Sequence, residues 1–143
     1  MTVNELRIGN IVQIKNKQAR EAACSLDVYV RGVSDNDMWG DTVLVQNACN
    51  ENVYEALIKN IAPIELTEDV LLKCGFKSVS GDAMVHKLNR HFRLEYALDE
   101  YVLRIKTDRH DSSYVRVVRS LHQLQNLYLA ITGKELEVDL DSK

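Results

Sequence analysis

The sequence predicts an α+β protein: an N-terminal SH3-like small β-barrel or bent sheet, followed by an antiparallel sheet covered by a C-terminal helix. Three observations carry this. Short alternating runs rich in β-branched residues fill the first third. A second series of such runs, separated by turn clusters, occupies residues 76–118. One apolar face at helical period follows, in "SLHQLQNLYLAITGKELEV" (Ser120–Val138). The expected division is a barrel-like lobe over 1–65 and an α+β lobe over 66–143, closely associated as one folding unit.

In "ELRIGNIVQIK", Leu6, Ile8, Ile11, Val12 and Ile14 surround Gly9-Asn10. Alternation breaks at that pair, as at a bulge or tight bend. "LDVYVRGV" and "TVLVQN" alternate as strands, with the turn cluster "SDNDMWGD" between them. Residues 16–25 and 48–60 carry no decisive pattern. "NVYEALIKNIAPIEL" is expected to be a connector, because Pro63 disfavours helix at Ala62 and ends any helix in Tyr54–Asn60. Next comes a marked helix, Glu68–Cys74. Thr67 is its N-cap, Glu68 and Asp69 suit the positive end of its dipole, and Leu66 with Leu71 can form a hydrophobic staple. Gly75 supplies the left-handed residue that stops it.

"FKSVS", "AMVHKLN", "FRLEYALD", "YVLRIKT" and "YVRVV" form the expected meander. In the last helix Leu121, Leu124, Leu127, Tyr128 and Ile131 make one apolar face. Ser120 with Gln123 reads as a capping box, and Gly133 as the terminator. Burying such side chains stabilises by about 1.5–3 kcal/mol each. "ELEVDL" alternates again and predicts a final short strand.

Composition excludes several classes. The chain has 143 residues, one proline and six glycines, which argues against disordered or collagen-like segments. No apolar run approaches the roughly 18 residues needed to span a bilayer. "MTVNELRIGN" lacks the basic and apolar regions of a secretory signal. Cys24, Cys49 and Cys74 are odd in number and form no CxxC, so reduced thiols in a cytoplasm are expected. The net charge is −3, yet residues 76–122 hold 9 Lys+Arg against 6 Asp+Glu. A basic middle segment can attract phosphate or an acidic protein surface.

Three blocks, "NELRIGNIV", "PIELTEDVLLKCGF" and "LHQLQNLYLAITGKELE", occur in this order. Together they cover about 40 of the 143 residues. The combination resembles a widespread set of small uncharacterised proteins of gut commensal bacteria, their phages and integrated elements. The resemblance implies a bacterial or phage cytoplasm, and host interaction or anti-defence as a role. It transfers no catalytic residue and no cofactor.

Candidate site residues follow from local chemistry. His122, Gln125 and Asn126 lie on the polar flank of the last helix, where amides can hydrogen-bond a partner. A zinc ligand at His122 would need a second ligand one turn on, where Gln125 and Asn126 stand, so no metal is expected. Arg93, Arg104, Lys106 and Arg116 are expected to gather on the exposed face of the second sheet, opposite the side covered by the helix, and could track a phosphate backbone. Trp39 in "DMWGD" is either a contact residue or a plug for the barrel end. In "TDRHDSS", His110 stands between Asp108 and Asp111, but GxSxG and other nucleophile motifs are missing. The sequence therefore predicts a non-enzymatic interaction module with a protein partner and no membrane contact. Nucleic-acid binding is the alternative, and a small hydrolase around His110 or His122 the third reading.

Overall fold

The computed structural model describes residues 5–14, 27–34, 41–47, 52–80, 83–88, 91–107 and 112–139. Trp39, Cys24, Cys49, His110 and residues 16–25 lie outside them. Among the described residues the architecture is α+β, with two five-stranded antiparallel sheets and one long C-terminal helix. The chain divides into two compact units, 1–64 with Leu121–Asn126 and Glu65–Ser120 with Leu127–Lys143.

The first unit is a curled half-barrel sheet. Its strands are β1 (Ile11–Ile14), β2 (Asp27–Ser34), β3 (Thr42–Asn47), β4 (Val53–Leu57) and β5 (Ile61–Ala62), in the order β4-β3-β2-β1-β5. The expected connector is thus partly strand. Val43, Leu44 and Val45 of β3 pair with Ala56, Glu55 and Tyr54, and a short 3-10 turn at Ile58–Asn60 precedes β5. Val28, Val30, Val43 and Val45 alternate into a core with Leu6, Val12, Ile14 and Ile61. Gly9 takes a positive φ of 99°, and the turn there breaks the alternation as the sequence indicated.

In the second unit, α1 (Glu68–Lys73) starts at Thr67, whose hydroxyl accepts the Val70 N–H at 3.3 Å. Leu66 and Leu71 are both buried. The helix ends one residue earlier than expected, with Cys74 as cap and Gly75 at φ 89° beyond it. The meander follows: β6 (Lys77–Ser80), β7 (Ala83–Lys87), β8 (Phe92–Ala97), β9 (Val102–Thr107) and β10 (Ser112–Val117), side by side in chain order. Leu94, Tyr96, Leu103 and Met84 share its inward face, on the cross-strand pairs Leu94↔Ile105, Tyr96↔Leu103 and Met84↔Tyr96. The Tyr96 hydroxyl donates to the Val118 carbonyl, and burial pushes the phenol up to about 12.

Helix α2 spans Leu121–Thr132. Leu121 and Leu124 are buried, while Leu127, Tyr128 and Ile131 are half-buried. Gly133 ends it at φ 73°, donating to the Leu129 carbonyl at 2.8 Å. Two expectations at its ends are corrected. Among the described residues the buried Ser120 hydroxyl makes no capping bond and has no hydrogen-bond partner. Residues 135–139 form no strand. Leu136 is buried and Asp139 N–H donates to Lys73 O at 2.9 Å, but no ladder of such bonds forms among the described residues.

Candidate functional site

The polar flank of α2 is enclosed at His122 and Gln125, half-buried at Asn126 and exposed at Gln123. His122 and Gln125 are each 2 % exposed. Gln125 Oε1 accepts the Ile11 N–H at 2.8 Å and its Nε2 donates to the Gly9 carbonyl at 3.1 Å. Arg7 Nη2 donates to the Gln125 carbonyl at 3.1 Å. Asn126 accepts from Asn10 Nδ2 at 2.8 Å and donates to the Glu5 carbonyl at 3.0 Å. The cause lies in the Gly9-Asn10 bend. A turn entering a sheet leaves backbone groups without ladder partners, and buried ones must be satisfied. Side-chain amides, with one acceptor and two donors, are suited to that task. The expected solvent-facing flank is therefore corrected at His122 and Gln125, while Asn126 keeps partial exposure. These residues tie the entry segment into the first unit.

His122 sits in the same place. Its Nε2 lies 3.5 Å from Glu5 Oε2, too long for a good hydrogen bond, and among the described residues neither ring nitrogen has a hydrogen-bond partner. Burial lowers its pKa, and the Glu5 carboxylate offsets that only in part. The ring is neutral at pH 7, walled by protein rather than facing a substrate space.

Two clefts lie in the second unit. The larger, about 620 Å³, is lined by Leu88, Phe92, Ile105, Tyr128 and Ile131, with Thr132 and Lys134 at its polar end. Among the described residues it offers apolar walls and one ammonium. The smaller brings Cys74, His86, Glu137 and Asp139 to one lining, a set that includes nucleophile, base and acid. Burial pushes the Cys74 thiol up to about 12, however, so it is a thiol and not the reactive thiolate. The His86 ring is held edge-on against Phe76 and Tyr128, at 5.1 and 5.6 Å between centroids. Among the described residues no His/Cys/Asp/Glu group has the geometry to hold a metal ion.

The solvent face of the second sheet is cationic, but not with the expected membership. Arg93 pairs with Lys106 across β8 and β9, and Glu95 pairs with Arg104. These four share the face opposite Leu94 and Tyr96. Arg116 does not join them: its register partner is buried Leu103. A register shift between Ser112 and Tyr114 sets the parity of this edge strand, and burial of Val118 fixes it, leaving Val117 57 % exposed. Lys87, which the sequence reading missed, takes the vacant place as the register partner of Arg93. Strict alternation in "AMVHK" would have found it, since Ala83, Val85 and Lys87 share one side.

A third surface was also missed. On the outer face of the half-barrel, Arg31 lies over the Tyr29 ring at 5.2 Å from its centroid and donates through Nε to Gln46 Oε1 at 2.7 Å. A bulge between Val30 and Gly32 frees Arg31 for this position. Gln46 pairs with both Tyr29 and Val53, and Leu44 with Gly32 and Glu55. Leu44 and Val53 are 42 % and 52 % exposed beside the stacked pair.

Among the described residues, no helix is long and apolar enough to cross a membrane. No family model, curated protein or solved structure matches this chain.

Proposed function

We propose that this chain is a non-enzymatic macromolecular interaction module, which docks a protein partner on the outer face of its first sheet. One observation carries the reading: an arginine and a tyrosine, stacked and locked by Gln46, stand beside exposed Leu44 and Val53. Tyr and Arg dominate binding hot spots, and a pair already fixed in place loses little side-chain entropy on binding. The unreactive Cys74 thiol and the enclosed neutral His122 weigh against catalysis at those groups. The three sequence blocks support a bacterial or phage cytoplasm, with host interaction or anti-defence as the process.

The test is capture from the native bacterial lysate by wild-type protein and by an Arg31→Glu/Leu44→Asp variant of unchanged circular dichroism. The expected result is a protein retained by the wild type and lost by the variant. Equal retention by both would place the contact elsewhere.

A further inference from the structure

We infer that the solvent face of the second sheet is a binding site for the phosphate backbone of duplex DNA, independent of the surface around Tyr29. Lys87, Arg93 and Lys106 form one continuous row across β7, β8 and β9, each the direct register partner of the next. Like charges placed directly opposite destabilise a sheet, and solvated faces ordinarily mix signs in such rows. Neighbouring strands lie about 4.8 Å apart, so the row runs about 10 Å across the sheet. Long side chains reach further, enough to meet successive phosphates on one strand.

The surroundings reinforce the row. Lys77, partnered with Val85, and Arg104, partnered with Glu95, extend the same face. Lys106 has Glu95 at 3.5 Å and Arg104 has Glu100 at 3.6 Å, both partly exposed and weak. Among the described residues, neither Lys87 nor Arg93 has an acidic partner. Among the described residues no carboxylate occupies the centre of the row, where an outside anion would bind.

The chemistry selects the polymer. The described residues of this face carry no aromatic ring, so stacking platforms for single-stranded bases are missing. Duplex RNA is bound across successive minor grooves through its 2′-hydroxyls, a footprint wider than this short row. What is offered is charge at strand spacing, which binds duplex DNA without reading its sequence.

Neutralising three phosphates predicts a slope of about −2.7 for log K against log salt, a loss of about 40-fold between 50 and 200 mM. The experiment measures fluorescence anisotropy of a labelled 20-base-pair duplex against the full chain at those salts. Lys87→Gln and Arg93→Gln should each flatten the slope by about 0.9. Arg116→Gln, on the other parity of the sheet, should leave it unchanged. Both substitutions in the row relieve repulsion, and urea unfolding confirms that each variant is folded. Failure to bind at 50 mM salt would overturn the inference. So would tighter binding to a single strand or to duplex RNA, or equal loss with Arg116→Gln.

Discussion

Gln125 of the C-terminal helix accepts the backbone N–H of Ile11 at 2.8 Å, across 114 residues of sequence. The same amide donates to the Gly9 carbonyl at 3.1 Å. One side chain thus completes both halves of a broken ladder. Gln125→Ala should cost about 1–3 kcal/mol, since it leaves buried backbone groups unpaired. Gln125→Glu should cost more, because a carboxylate would replace the donor that faces the Gly9 carbonyl. Urea unfolding of both variants checks the order.

Acid should loosen the first unit through His122. Burial holds its folded-state pKa below the ordinary value, while the unfolded imidazole titrates near 6.5. Between the two, the unfolded chain binds the extra proton. The contribution is therefore fully present above about pH 6.5 and declines as pH falls through the window down to the folded-state pKa. Urea midpoints between pH 7.5 and 5 should fall further for the wild type than for His122→Gln. Parallel curves would remove His122 as the cause.

Two glycines permit a controlled comparison. Gly75 and Gly133 both have positive φ, at 89° and 73°. A Cβ at Gly75 would lie 3.3 Å from His86 Nε2, whereas one at Gly133 meets nothing within 4 Å. Gly133→Ala should cost the left-handed penalty alone, about 1–2 kcal/mol. Gly75→Ala should cost more, and the excess should shrink in a His86→Ala background. Thermal unfolding of the four variants gives the coupling.

Tyr96→Phe removes the hydroxyl that donates to the Val118 carbonyl in the second unit. The buried carbonyl is left unpaired, at a cost of about 1–3 kcal/mol. Because burial raises the phenol to about 12, ultraviolet titration of the folded wild type should leave one tyrosine un-ionised at pH 11 that Tyr96→Phe lacks.

What was legible in the sequence was local. Thr67, Leu66, Leu71 and Gly75 lie within ten residues of one another, and they framed a helix that is observed at Glu68–Lys73. The alternation of β8 and β9 gave the shared face of Arg93, Arg104 and Lys106 because both strands are central and half-buried. Parity failed at Arg116, where an edge strand with a register shift has no second neighbour to fix its face. The role of Gln125 and Asn126 was hidden for a different reason. Their partners Gly9, Ile11, Asn10 and Glu5 are more than a hundred residues away, and nothing near them on the helix differs from a solvated flank. The one available signal was the Gly9-Asn10 break, which announced orphaned backbone groups without saying what satisfies them. Likewise "ELEVDL" has strand rhythm, but a strand also needs a neighbour, and rhythm does not supply one.

Gln125 and Asn126 spend their amides on the chain's own Gly9, Asn10, Ile11 and Glu5. Residue-resolved hydrogen exchange at the Ile11 amide tests this most directly. Exchange should be as slow as at Val12 and Val28 in the wild type, and accelerated by orders of magnitude in Gln125→Ala. Rapid exchange at Ile11 in the wild type would contradict it and return the helix flank to solvent.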